Sequence, residues 1–498
     1  MKLARLLAEA GQECADAGDG EVTGFAIDHR KVAPGTVFGA FQGATVNGEV
    51  FIADAVRAGA VAVVARPEAR VSGATHIADP APRRAFARLA ARFFTPVPPH
   101  IVAVTGTNGK TSTVEMTRQI WRMAGERAAS IGTLGVTTPD ESVATGLTTP
   151  DVVTFLGNLA GLAREGVTHV AFEASSHGLT QHRNDGVRPQ AVAFTNLSRD
   201  HLDYHAGMEE YFQAKMRLFD ELAADGGTAV VWMGAEPDDW ARRAVTHGEK
   251  RGLSVMTVGE SGADIRLAAR EPTQLGQRLT IEQGGGEYTI SLPLIGAYQA
   301  ANALVAAGLA LATGVASAQV RDALGRLQPV RGRLERAAIT SSGAPVYVDY
   351  AHTPDAIAAA IAALRPHVAT EGGARLITVL GAGGDRDQGK RGPMGAAARA
   401  GSDLVIVTDD NPRGEDARAI RAEVLAGAGG EAREIGDRRE AIAAAVAEAG
   451  AGDIVLIAGK GHEQGQIVGS GPDMRILPFD DVTVARECAG TAGREVAP

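Results

Sequence analysis

An α/β chain of several domains, built on mainly parallel sheets, is predicted by three observations. Short β-branched runs alternate with alanine-rich helical stretches almost throughout, as in parallel strands covered by crossover helices. At 498 residues the chain is several times the size of one core, which calls for roughly two to four domains. The apolar run Ile101-Val102-Ala103-Val104 breaks into Thr105-Gly106-Thr107-Asn108-Gly109-Lys110-Thr111-Ser112, a strand that ends in a glycine loop and opens a helix.

Taken in order, the chain starts with leucines at helical spacing interrupted by charges, Met1-Lys2-Leu3-Ala4-Arg5-Leu6-Leu7-Ala8-Glu9. This predicts an amphipathic helix and not a secretory leader. The stiff stretch Thr95-Pro96-Val97-Pro98-Pro99 closes a first unit, and a second break falls near Leu327-Gln328-Pro329-Val330. Domains are therefore expected at 1–97, 98–328 and 329–498. The middle one has predicted strands at 101–105, 169–174, 191–196 and 228–232, and the last at 346–350, 376–380, 404–408 and 454–458. Every unusual polar cluster begins where one of these strands ends. In open parallel sheets ligands collect at that edge, and two such edges facing each other would make one interdomain site.

The charge balance is 49 basic against 59 acidic residues, net −10, with the cations scattered. That disfavours nucleic acid and anionic membranes as partners. The longest uncharged aliphatic run, near Ala303 to Ala312, falls well short of the ~18 to 20 residues of a membrane span. Cys14 and Cys488 lie near opposite ends with no partner motif, so neither a disulfide framework nor a zinc cluster is expected and a reducing cytoplasm fits.

The glycine loop reads as a nucleoside-triphosphate site. Backbone N–H groups at Gly106 to Gly109 would turn onto phosphate oxygens, Lys110 would place a charge on the β and γ phosphates, and Thr111 would offer its hydroxyl to Mg²⁺. A glycine would stand at Val104 in the common form of this loop, so it is a shortened variant. After the second middle strand comes 173–183, where Glu173 is either a Mg²⁺ ligand or an ordinary loop carboxylate. Ser175, Gln181 and Arg183 suit an anionic or amide-bearing substrate. After the third come His201, Asp203 and His205, which fit metal ligation, phosphate handling or capping of the next helix. Asn302 is the polar exception on an alanine-rich helix and could read an adenine edge. In the last domain Asp349 suits ribose hydroxyls. Arg386 and Arg413 could fork onto a carboxylate while Asp410 and Glu463 pair with an ammonium, which together describe an amino-acid site.

Read together, these stretches resemble the Mur ligase family, and within it the members that add meso-diaminopimelate. The resemblance runs in order through 105–112, 148–150, 173–183, 196–205, Lys215, 298–302, 331–335, 349–354, 381–391, 410–413 and 459–463. It implies an N-terminal α/β domain for the UDP end of the substrate, a central P-loop domain for ATP, and a C-terminal Rossmann-like domain for the incoming amino acid. The implied substrates are UDP-N-acetylmuramoyl-L-Ala-D-Glu, meso-diaminopimelate and ATP, handled by a cytoplasmic monomer. By the resemblance, Ile27, His29, Thr148, Thr149, Ser175, Gln181 and Arg183 hold the muramoyl dipeptide. The nucleotide falls to Gly106, Thr107, Asn108, Gly109, Lys110, Thr111, Ser112, Asn302, Arg333 and Asp349.

Thr111, Glu173, His201 and Lys215 would serve Mg²⁺. Lys215 matches a lysine carbamylated in relatives, since an ammonium repels the cation and a carbamate binds it. Lys110, Glu173, His201 and Lys215 are thus the implied catalytic residues. Arg386, Asp410, Asn411, Pro412, Arg413, Gly459 and Glu463 match diaminopimelate positions. Lysine-adding relatives lack the arginine of Asp410-Asn411-Pro412-Arg413, so Arg413 would select the second carboxylate of diaminopimelate. His29 is a departure, standing where relatives usually show serine. The implied reaction is amide formation through an acyl phosphate. The rivals are other ligases of this scaffold (lysine-adding, dipeptide-adding, tripeptide-recycling, folate polyglutamate) and a regulator that only binds ATP.

Overall fold

The computed structural model describes residues 1–12, 18–43, 46–138, 140–143, 148–200, 204–236, 238–273, 276–369 and 373–490. Its contacts divide the chain into two compact units, Met1–Asp264 with Val305–Val320, and Ile265–Leu304 with Arg321–Pro498.

The first unit opens with the helix Leu3–Glu9, whose leucines are buried as its spacing predicts. A four-stranded parallel sheet follows, in the order Gly24–Ala26, Thr36–Gly39, Ala62–Ala65, Thr75–Ala78. The helix Pro82–Phe93 starts on a proline, whose missing N–H costs nothing there, and buries Phe86 and Leu89. The larger sheet of this unit runs Ser254–Gly259, Thr228–Trp232, Ala191–Phe194, His100–Thr105, His169–Glu173, Ala128–Gly132, Gly135–Thr137, Ser142–Val143. Its first six strands are parallel, and in all but Ser254–Gly259, which is half-exposed, the runs of Ala, Val and Phe are buried on both faces, as crossover helices require. Register sets Val104 opposite both Glu173 and Ala193, so the strand ends at Thr105, Glu173 and Phe194 share one edge.

The second unit contains an antiparallel meander, Ile265–Thr273, Gly276–Gln283 and Gly286–Leu292, which the reading of alternating strands and helices omits. Its main sheet runs Glu335–Ile339, Pro345–Asp349, Ile454–Ala458, Leu376–Leu380, Leu404–Val407, Arg433–Glu434. Only the first pair is antiparallel. Two apolar clusters cover its faces, one around Ile357, Leu364, Met394 and Val424, the other around Ile442, Val446, Val482 and Val484. A separate hairpin, Gly465–Val468 with Arg475–Pro478, stands beyond the last parallel strand. The α/β class and the eight expected strands are present, three with the expected bounds and five with an end shifted by a residue or two. No helix among the described residues is long and apolar enough to cross a membrane.

Candidate active site

The phosphate loop joins the strand His100–Thr105 to the helix Lys110–Met123. Gly106 has φ of 145° and Gly109 of 87°. A Cβ on Gly106 would lie 2.0 Å from Thr195 Oγ1, so this position excludes any side chain. The loop is clasped by the next strand end. Thr107 N donates to Asn196 O at 2.8 Å, Asn108 N to Asn196 Oδ1 at 2.9 Å and Thr195 Oγ1 to Asn108 O at 2.6 Å. Thr111 and Ser112 are buried in the first turn of the helix. Lys110 folds back, its Nζ donating to Gly106 O at 3.0 Å and Thr107 O at 2.7 Å.

Lys215, on the helix Met208–Arg217, is buried, and its Nζ donates to the same Gly106 O at 2.7 Å. It also lies 4.2 Å from the centre of the Tyr211 ring, and the Tyr211 hydroxyl meets Thr107 Oγ1 at 3.3 Å. Burial, reinforced by the neighbouring Lys110 charge, holds the Lys215 amine well below the ordinary lysine range. His205 does not cap this helix; Gly207 holds the cap position, and the imidazole packs between the Tyr204 and Tyr211 rings at 5.0 and 5.2 Å. His201 and Asp203 lie outside the described residues, as does Cys14.

Glu173 closes its strand fully buried. Its carboxylate accepts from Thr133 N at 2.7 Å and Thr133 Oγ1 at 3.1 Å, and Thr133 Oγ1 also meets Thr148 Oγ1 at 3.1 Å. Thr149 Oγ1 pairs with Ser175 Oγ at 2.9 Å and donates to Glu173 O. Arg183 donates to Thr149 O at 2.8 Å and to Gln181 Oε1 at 2.7 Å, and Gln181 Nε2 reaches Tyr204 OH at 3.2 Å. Thr148, Thr149, Glu173, Ser175, Gln181 and Arg183 thus form one network, to which Thr133 and Tyr204 belong although sequence reasoning gave them no role. Arg83, from the helix Pro82–Phe93, faces Arg183, and burial pulls both guanidiniums below their ordinary range. In the first small sheet Ile27 is exposed just after its strand, and His29 stacks on Phe51 with centroids 4.2 Å apart.

In the second unit a relay joins the three expected nucleotide residues. Asn302 Nδ2 donates to Gln299 Oε1 at 3.3 Å, Gln299 Nε2 to Arg333 O at 2.9 Å, and Leu334 N to Asp349 Oδ2 at 2.6 Å. Asn302 is buried, not surface-exposed. Desolvation pushes the Asp349 carboxyl up to about 6, against the opposing pull of Arg333 and two backbone N–H groups. The Arg333 guanidinium lies over the Tyr350 ring at 4.7 Å.

The expected amino-acid residues converge beside that relay. Arg413 has a left-handed backbone, φ 52°, pinned by its N–H on Ile467 O at 3.1 Å and by Gly469 N on its own carbonyl at 2.7 Å. Its guanidinium donates to Gly384 O at 2.9 Å. A Cβ on Gly383 would lie 2.8 Å from that guanidinium and 4.0 Å from Arg386 Cγ, so the two arginines flank one glycine. Asn411 Nδ2 donates to Glu463 Oε2 at 2.8 Å, and a Cβ on Gly459 would strike Asp410 Oδ2 at 2.6 Å. The buried Lys460 sits among these groups, although sequence reasoning gave it no role. A lysine between two glycines was the available signal.

Among the described residues no three His, Cys, Asp or Glu side chains gather as a metal cage. Of the expected donors among the described residues, Thr111 and Glu173 offer oxygens, a hydroxyl and a carboxylate. That set suits Mg²⁺, which takes few protein ligands and keeps phosphates and waters for the rest.

The profile of the Mur ligase middle domain matches residues 104–310, and that of the Mur ligase glutamate ligase domain residues 332–461. The UDP-N-acetylmuramoyl-L-alanyl-D-glutamate--2,6-diaminopimelate ligase of Zymomonas mobilis is 60% identical over 469 residues, 94% of this chain and 95% of the relative. The chain belongs to the Mur ligase family. A Mur ligase of the same description from Bradyrhizobium diazoefficiens is 51% identical over 93% of each chain. A solved structure of a ligase so described superposes with a TM-score of 0.72 at 32% identity, covering 99% of this chain and 100% of that one. The Thermotoga maritima ligase MurF, solved with ADP, shares the fold at a TM-score of 0.60 and 20% identity, over 88% of this chain and 94% of its own.

Proposed function

We propose that this Mur ligase joins meso-diaminopimelate to the γ-carboxylate of the D-glutamyl residue in UDP-N-acetylmuramoyl-L-Ala-D-Glu, at the expense of ATP, during cytoplasmic peptidoglycan precursor synthesis. The observation that carries this reading is the end-to-end similarity to ligases so described, at 60% identity for the Zymomonas mobilis protein. We assign residues 1–97 to the UDP end, 98–328 to ATP and 329–498 to the amino acid, and take the enzyme to act as a monomer.

A carboxylate resists attack by an amine because oxide would have to leave. The γ-carboxylate therefore attacks the γ-phosphorus of ATP in line, releasing ADP and leaving an acyl phosphate. The diaminopimelate amine, in its neutral form, adds to the acyl carbon. The tetrahedral adduct collapses to the amide, expels phosphate and loses the amine proton. Lys110 leaves its loop carbonyls for the β and γ phosphates, and the loop N–H groups hold the charge that spreads in the transition state. Mg²⁺, when bound, neutralises phosphate charge as a Lewis acid, and Thr111, Glu173, His201 and a Lys215 carbamate are the groups that would hold it. Two lysine amines on the single Gly106 oxygen are a costly arrangement for a buried charge. Reaction of the Lys215 amine with carbon dioxide, forming an N–C bond and releasing a proton, turns it into an anionic oxygen donor.

Ile27, His29, Thr148, Thr149, Ser175, Gln181 and Arg183 hold the muramoyl dipeptide. Asn302, Arg333 and Asp349 hold the nucleoside, and the Arg386, Asp410–Arg413, Gly459 and Glu463 cluster holds diaminopimelate. A phosphate-release assay with the UDP-muramoyl dipeptide and a panel of meso-diaminopimelate, lysine, D-Ala-D-Ala and tripeptide tests the reading. Phosphate release with meso-diaminopimelate alone is expected. Release with lysine instead, or none at all, overturns it.

A further inference from the structure

We propose that Lys460 is the positioning residue of the amino-acid site, fixing which way the Asn411 amide faces and thereby aiming Glu463 and Asp410 at the ligand's ammonium. The inference rests on the assignment of the Asp410–Arg413 and Gly459–Glu463 loops to diaminopimelate.

Lysine side chains are almost never fully buried without a specific partner, and that of Lys460 is 0% exposed. Its Nζ donates to Asn411 Oδ1 at 2.8 Å and to Gly465 O at 2.7 Å. It stands 3.8 Å from Asp410 and 3.6 Å from Glu463. Asn411 Oδ1 accepts a second bond, from Ile467 N at 2.9 Å. With two donors on that oxygen, the amide nitrogen must turn to the other side, where it meets Glu463 Oε2. A flipped amide would set NH₂ against two donors and leave the Glu463 oxygen without this bond.

The backbone is built to deliver this lysine inward. Gly459 and Gly461 flank it at φ 120° and 54°. A Cβ on Gly459 would strike Asp410, and one on Gly461 would lie 2.7 Å from Tyr350 Cβ. Neither can be replaced without moving the site. Through Gly465 the amine also holds the start of the hairpin Gly465–Val468, which fastens the loop again: Gln466 Nε2 donates to Asp410 O at 2.6 Å, and Ile467 O accepts from Arg413 N. Among the described residues the hydrogen bonds and ion pairs of the Lys460 amine run to the binding loops and to the hairpin tied to them.

The Lys460 amine holds Asn411 and Gly465, so its loss should be felt in amino-acid binding and not in acyl phosphate formation. The test uses the full-length enzyme as Lys460→Met, Lys460→Gln and Arg413→Ala. Read out are KM for meso-diaminopimelate, kcat at saturation, KM for ATP, and positional isotope exchange in ATP with the UDP-muramoyl dipeptide and no amino acid. Lys460→Met is expected to raise the diaminopimelate KM by about tenfold or more, the scale of one buried hydrogen bond. Its kcat, ATP KM and isotope exchange should stay near those of the parent. Lys460→Gln, which keeps a donor toward Asn411, should fall between. An unchanged diaminopimelate KM, or a parallel loss of isotope exchange, overturns the inference, and Lys460→Gln alone decides it if the methionine variant does not fold. If Arg413→Ala raises that KM while the Lys460 variants do not, only this inference fails. If Arg413→Ala also leaves it unchanged, the assignment of the site itself fails.

Discussion

Asp349→Asn should make the ligand-free enzyme more stable, and by an amount that depends on pH. The Asp349 carboxyl is 8% exposed and its pKa is raised from 3.8 to about 6 by burial. The folded chain therefore holds this proton more tightly than the unfolded chain. Stability falls as pH rises from the ordinary value to about 6, then stays level. A difference of about two units corresponds to roughly 3 kcal/mol at neutral pH. An asparagine carries no charge to desolvate and still accepts the Leu334 N–H bond through its amide oxygen. For a unit of about two hundred residues that gain is worth roughly 6 °C or more in melting temperature. Calorimetry of both proteins without nucleotide, from about pH 4.5 to about pH 8, should show a gap that widens with pH and levels off above about 7. The same variant should raise the KM for ATP about tenfold, having lost a charged acceptor for the ribose hydroxyls. A variant that melts at or below the parent near neutral pH, or a gap independent of pH, refutes the reasoning.

Lys215→Arg keeps a cation that cannot form a carbamate, so kcat should fall by about a thousandfold or more. Carbon-13 bicarbonate should give a carbamate resonance in the parent that is absent in the variant. Arg413→Ala should narrow the preference for meso-diaminopimelate over lysine by about tenfold to a hundredfold, measured as a ratio of kcat/KM values. A Cβ at Gly132 would lie 2.2 Å from Glu173 Oε1, so Gly132→Ala should lower kcat by about tenfold to a hundredfold while circular dichroism stays that of the parent.

The parallel strands were legible because they are short apolar runs that end in polar clusters, and the phosphate loop because Gly106 and Gly109 stand where the backbone allows little else. The meander 265–292 was less visible, although Arg278 to Glu282 alternates and Gly284-Gly285 marks a turn. Alternation of that kind is weak beside the long apolar runs of the main sheets. Side-chain networks were the hardest part to read. Thr133 follows Gly132 at the end of a strand missing from the sequence reading, so its two bonds to Glu173 had no visible partner. Gln299 joins Asn302 to Arg333 across a gap of 34 residues, a link that no spacing rule encodes. Lys460 sat in a run already noticed, but a buried orientation is decided by the Gly459 and Gly461 backbone and by the hairpin beyond it.

Transfer of oxygen from substrate to phosphate tests the central chemistry most directly. UDP-N-acetylmuramoyl-L-Ala-D-Glu labelled with oxygen-18 in the γ-carboxylate, incubated with ATP and meso-diaminopimelate, should yield phosphate carrying a single labelled oxygen for each amide formed. Amide formation with unlabelled phosphate would contradict an acyl phosphate route.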